Sequence, residues 1–200
     1  MDNKQREDSR LRAAKILSKI SVENKLGMWE PTKMQRLFVD KASYATQDFS
    51  LYAVRRKGKS TAAVVAAVCL AASKLNIEVG LVLPNYNSFS DILRYLERAT
   101  ENLPTVREIY NGVGGRGAEF ETGSRISLLS AYSTNALLYR HNDYLIFDEA
   151  QLTDPDIFNY RLKAEVIIKT RTPVEPHDSL ITNAEIYDGF YFRPNIRGLM

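Results

Sequence analysis

The stretch Leu51–Val65, LYAVRRKGKSTAAVV, constrains this chain more than any other. It begins as an apolar run suited to a buried strand and ends as an alanine-rich run suited to a helix. Between them lies a turn with three consecutive cations, Arg55, Arg56 and Lys57, and a fourth, Lys59, one glycine later. Like charges crowded into one tight turn repel, so the turn calls for a strongly anionic occupant. Residues 53–60 match G-x-x-x-x-G-K-[ST] except that Ala53 replaces the first glycine. Each part of that pattern has a physical task. Gly58 lets the backbone approach a phosphate, and the loop N–H groups and the helix N-terminus complement its charge. Lys59 reaches the outer phosphates, and Ser60, or less directly Thr61, offers a hydroxyl to Mg²⁺. ATP with Mg²⁺ is therefore the expected ligand.

A second element supports the first. Tyr144–Gln151, YLIFDEAQ, is an apolar strand ending in Asp148 and Glu149. In P-loop ATPases a carboxylate at such a strand end holds the metal shell, and the acid beside it polarises the attacking water. Asp148 follows Lys59 by 89 residues. That span includes the predicted strand Glu78–Leu83, so an additional strand can separate the two phosphate-site strands.

The rest of the chain alternates between helical and strand patterns. Helices are expected over 9–20, with Leu11, Ile16, Leu17 and Ile20 in phase, and over 32–42, with Thr32 as N-cap. Residues 59–75 read as a helix buried on most sides, 78–84 as a strand, and 87–103 as an amphipathic helix. Four glycines at 112, 114, 115 and 117 suggest a loop. AEFE and RISLLS then read as a hairpin turning at Thr122–Gly123. A short helix begins near Pro155, and SLITNA reads as a late strand. The expected fold is α/β: a RecA-like, additional-strand P-loop NTPase, with a mostly parallel central sheet and helices on both faces. Residues 1–28 form an N-terminal helical segment, and 29–200 the P-loop domain. The single cysteine, Cys69, excludes a disulfide framework. No apolar run is long enough for a membrane span, and no signal peptide is visible. The net charge of +3 permits a nucleic-acid partner without requiring one.

Across roughly residues 29–190 the chain resembles the ATPase domain of the large terminase subunit, the DNA-packaging motor of tailed bacteriophages and herpesviruses. Trp29–Gln35, WEPTKMQ, looks like that family's adenine-reading segment. AVRRKGKS, with arginines before G-K-S and no first glycine, resembles its P-loop. ETGSRISLLSAYSTNALLYRHNDYLIFDEAQ is similar to its run of hairpin, small-residue turn, arginine segment and acidic strand. SLITNAE stands where its coupling motif follows. His141 departs from the glycine common after that arginine, and Thr182-Asn183-Ala184 departs from the Thr-Thr-Pro common in the coupling motif.

The resemblance implies residue roles. Gln35 would read the adenine edge, and Arg55, Arg56, Gly58, Lys59, Ser60 and Thr61 would bind ATP. Ser60 and Asp148 would hold Mg²⁺, and Glu149 would be the catalytic carboxylate. Arg55 within its own subunit, or Arg140 reaching a neighbour's site, would act as arginine finger. Asn183 would couple hydrolysis to movement. Arg116, then Arg125, are the candidates for gripping the phosphate backbone of double-stranded DNA. Implied partners are a ring of like subunits, the portal protein of the procapsid and a small terminase subunit, in the host cell cytoplasm. No nuclease carboxylate cluster is evident, so no DNA cleavage is expected of this chain. Two other readings stay open: a superfamily-two helicase-like fragment, which PTKMQ and DEAQ also fit, and a nucleotide-binding assembly module without turnover.

Overall fold

The computed structural model describes residues 3–22, 31–53, 56–112, 115–159, 162, 164–172, 185–187 and 190–194. In chain order, helices α1 (Asn3–Val22) and α2 (Lys33–Ser43) lead into strand β1 (Phe49–Ala53) and helix α3 (Lys59–Ser73). Strand β2 (Glu78–Leu83), helix α4 (Ser88–Thr100) and strands β3 (Val106–Gly112), β4 (Gly115–Phe120) and β5 (Arg125–Ser130) follow. Helix α5 (Thr134–Tyr139) precedes β6 (Asn142–Phe147), a single 3-10 turn (Ala150–Leu152), α6 (Pro155–Asn159) and β7 (Ala164–Arg171). The hairpin β8 (Glu185–Tyr187) and β9 (Phe190–Pro194) comes last.

All nine strands among the described residues join one sheet in the order β3-β4-β5-β2-β6-β7-β1-β9-β8. The central five, β5-β2-β6-β7-β1, are parallel. Antiparallel strands extend both edges. Phosphate-site strands β1 and β6 are separated by one inserted strand, as expected of the additional-strand arrangement. The inserted strand is β7, which follows β6 in sequence. Glu78–Leu83 instead lies on the far side of β6. Strand β7 was not among those expected from the sequence, because Lys169 and Thr170 interrupt its apolar run.

Helices cover both faces, unequally. The main core joins α1, α2, α3 and α4 to one face through Leu17, Phe38, Leu70, Leu96, Leu81 and Ile168. Helix α3 is buried along nearly its whole length, which explains its apolar surface on all sides. Thr32 caps α2 as expected: its hydroxyl accepts the Gln35 N–H at 3.3 Å, and Gln35 Oε1 accepts the Thr32 N–H at 2.9 Å. The other face carries a smaller core around Val82, Leu145 and Phe147, closed by Leu137 of α5 and Ile157 of α6.

The glycine-rich segment departs from the loop expected of it. Gly112, Gly115 and Gly117 lie in β3 and β4, which pair with each other. A Cβ on Gly117 would stand 1.9 Å from the Ile126 carbonyl oxygen and 2.7 Å from the Tyr110 hydroxyl. The glycine therefore lets Tyr110 cross β4 and donate to that carbonyl at 3.0 Å. The second hairpin, β4 to β5, turns at Gly123 (φ +77°) as expected. No described helix is long and apolar enough to cross a membrane.

Candidate nucleotide-binding site

Parallel strands present their C-terminal ends along one edge, and ligands gather there. The turn after β1 and the acidic pair after β6 share this edge, with the end of β7 between them. Two residues of the turn, Arg56 and Gly58, take positive φ, 63° and 73°. Gly58 has a second constraint, since a Cβ there would meet Gln35 Nε2 at 2.6 Å. Its carbonyl accepts the Ala62 N–H at 2.9 Å, starting α3, and the Gln35 side-chain N–H at 3.1 Å. Gln35 is buried, and its amide thus ties the α2 cap to the loop. One of its two N–H groups and one lone pair are used inside the chain.

Lys59 is only 3% exposed, and its Nζ lies 3.3 Å from Glu149 Oε1. Asp148 is also buried. Its carboxylate bonds the Ser60 hydroxyl and accepts from the Thr170 hydroxyl at 2.8 Å. That hydroxyl in turn accepts the Glu149 N–H at 3.1 Å. Glu149 has a left-handed backbone (φ 48°, ψ 51°), a conformation that costs a non-glycine residue about 1–2 kcal/mol. The twist turns its side chain towards Lys59 and β7. Thr172 Oγ1 donates to Glu149 Oε2 at 2.8 Å, and Gln151 Nε2 donates to the same oxygen. Gln151 Oε1 accepts the Thr172 N–H at 3.0 Å.

The two carboxylates shift in opposite directions. Burial raises the Asp148 pKa; bonds from Ser60 and Thr170 oppose the rise, and the neighbouring Glu149 charge adds to it. Burial would also raise Glu149, but bonds from Gln151 and Thr172 and the charge of Lys59 outweigh it, so its pKa is lowered. Asp148 is therefore a buried carboxyl whose charged form is disfavoured until a cation joins it, beside a serine hydroxyl. Such a set of hard oxygen donors fits Mg²⁺.

Thus Gly58, Lys59, Ser60, Asp148 and Glu149 are brought together, and Ser60 rather than Thr61 bonds Asp148. Arg56 is exposed at the loop. Arg55 and Asn183, together with Trp29 and Glu30 of WEPTKMQ and all of SLITNA, lie outside the described residues. Sequence reasoning missed Thr170, Gln151 and Thr172. The only available signal was hydroxyls at the end of an unrecognised strand, at 170 and 172.

The three remaining arginines lie elsewhere. Arg140 precedes β6, at the opposite end from Asp148, roughly 20 Å away for a six-residue strand. It pairs with Glu78 at 3.5 Å. Arg125 is held by Glu119 at 2.5 Å and by Glu78 at 3.9 Å. Arg116, expected on a mobile loop, belongs to β4, with its guanidinium 5.6 Å from the centre of the Phe89 ring. All three line one cleft of about 260 Å³ with Glu108, Tyr110 and Glu119.

No protein-family model and no curated protein matches the sequence. Solved structures do share its fold. The large terminase ATPase domain of Thermus phage P74-26 is 20% identical over 74% of this chain and 67% of that one, with a TM-score of 0.50. The HK97 bacteriophage large terminase is 14% identical over 80% of this chain, with a TM-score of 0.58. The large terminase of a thermophilic bacteriophage is 12% identical over 71%, with a TM-score of 0.55. That protein is also solved with ADP and with ATP-γ-S. This chain spans 37% and 39% of the latter two proteins. At these identities the likeness is one of fold: an α/β, RecA-like sheet of the kind found in phage large terminase ATPase domains.

Proposed function

We propose that this chain is the ATP-hydrolysing motor domain of a phage DNA-packaging terminase. The observation that carries this reading is the meeting of Lys59 with Asp148 and Glu149 at the C-terminal edge of the sheet. The fold shared with terminase ATPase domains supports it. ATP would place its phosphates against Gly58 and the N-terminus of α3, and Lys59 would leave Glu149 for the outer phosphates. Ser60 and Asp148 would hold Mg²⁺, which offsets negative charge on the phosphates. Glu149 would accept a hydrogen bond from the attacking water. The water oxygen joins the γ-phosphorus as the β–γ bridging bond breaks, giving ADP and inorganic phosphate.

Arg55 and Arg56 would add positive charge beside the phosphates. Arg140 stands at the far end of β6 and pairs with Glu78, so as an arginine finger it would act on a neighbouring subunit's site and not on its own. The end of β7 touches both carboxylates through Thr170 and Thr172, so a coupling role belongs there as well as at Asn183. Double-stranded DNA is the proposed track. A procapsid portal and a small terminase subunit are the proposed partners, in the host cytoplasm.

The test is Mg²⁺-dependent ATP binding and phosphate release by the purified chain, with and without double-stranded DNA, at concentrations that permit self-association. DNA-stimulated turnover supports the motor. ATP binding without turnover under all these conditions would leave a nucleotide-binding module instead.

A further inference from the structure

Glu149 meets its neighbours unequally through its two oxygens. Oε2 receives two donors, the Thr172 hydroxyl and the Gln151 amide. Oε1 faces only Lys59 among the contacts described at this carboxylate. Gln151 closes a ring, because its own amide oxygen accepts the Thr172 N–H. Residue 151 therefore binds the carboxylate of residue 149 to the backbone at the end of β7. Neither partner is its neighbour in sequence, and both bonds need the primary amide, which is donor and acceptor at once.

Building on the ATPase reading, we infer that Gln151 is a positioning residue. It anchors Oε2 of Glu149 to β7, so that Oε1 is the oxygen left to work on water when a phosphate draws Lys59 away. Without the anchor, the carboxylate loses its support at the moment Lys59 departs. Thr172 alone would hold one oxygen by one bond, leaving the carboxylate free to rotate. The anchor also makes the carboxylate follow the end of β7. Any displacement of that strand end relative to β6 moves the carboxylate too.

The anchor predicts a defect in turnover but not in binding. In Gln151→Ala, kcat for ATP should fall by about 10²-fold, the scale for a misplaced catalytic group. KM and the affinity for a fluorescent ATP analogue should stay within about twofold, since the phosphate contacts are untouched. Gln151→Glu fills the same volume but cannot donate to Oε2, and should lose at least as much turnover. Thr172→Val should lose turnover and Thr172→Ser should regain it. The combination of Gln151→Ala with Thr172→Val should cost less than the product of the two, because both residues hold one oxygen.

A second readout does not depend on hydrolysis. The side-chain NH₂ resonances of Gln151, assigned by their loss in Gln151→Ala, should shift in Glu149→Ala and in Thr172→Val. Unchanged resonances, or a Gln151→Ala variant with wild-type kcat, would overturn the inference. So would equal losses in kcat and affinity with a lowered Tm, which would make Gln151 a structural brace. A wild-type chain that binds ATP without turnover, yet shows the shifted resonances, would instead reject the ATPase reading while leaving the anchor in place.

Discussion

Lys59 Nζ lies 3.3 Å from Glu149 Oε1, which joins the two sequence elements most diagnostic of phosphate chemistry. The lysine is buried and finds an anion inside its own chain. A triphosphate would have to take that lysine over. Lys59→Ala should therefore abolish ATP binding, measured by calorimetry. Glu149→Gln should bind ATP at least as well as wild type, yet lose about 10²–10⁴-fold in kcat, the scale of a lost general base. Normal hydrolysis by Glu149→Gln would remove Glu149 from catalysis.

The opposed shifts of Asp148 and Glu149 give a signed dependence on pH. Asp148 has a raised folded pKa, so its carboxylate detracts from stability once pH rises above its ordinary value and through the folded one. Glu149 has a lowered folded pKa. Its contribution is present above the ordinary carboxylate value and is lost as pH falls through the folded one. Asp148→Asn removes the first effect. The nucleotide-free variant should melt higher than wild type at pH 7 and lose its Mg²⁺-dependent affinity for ATP. Its Tm should also fall more steeply on acidification than wild type's. A lower Tm at pH 7 would show that the bonds from Ser60 and Thr170 outweigh burial.

Gly58 is constrained by conformation and by space. A side chain there must hold φ near +73° and displace the Gln35 amide. Gly58→Ala should cost about 1–2 kcal/mol from backbone strain alone, read by chemical denaturation, with further loss from the clash. Adding Gln35→Ala should recover the part due to the clash and leave the strain. No recovery would mean that Gln35 moves aside freely.

Arg116 and Arg125 should separate in DNA binding. Arg125 is already neutralised by Glu119 and Glu78, whereas Arg116 of β4 meets only the Phe89 ring of α4 among the contacts described for it. If the chain grips DNA phosphates, Arg116→Ala should lower the salt slope of binding by about one unit, and Arg125→Ala should leave it unchanged. The reverse result would place the grip on the β5 side of the cleft.

Local signals were legible wherever one segment carried its own physics. The α2 cap rested on Thr32, adjacent to the helix that it starts. The strand–turn–helix around Lys59 rested on the change from an apolar run to a cationic glycine turn. Neither needed a distant partner. Strand β7 does need one: its apolar face is completed by β6 and β1, and Lys169 and Thr170 hide it from a pattern search. The same holds for the glycine-rich segment. It reads as a loop until Tyr110 is seen crossing Gly117 to reach Ile126.

The sequence by itself determined that a phosphate-type turn and an acidic strand end exist in this chain, because each depends on residues adjacent along the backbone. Tertiary structure decided which strand lies between them, which oxygen of Glu149 is held, and that Arg140 stands at the far end of β6. Those relations depend on strand order, and strand order is set by packing between segments about a hundred residues apart.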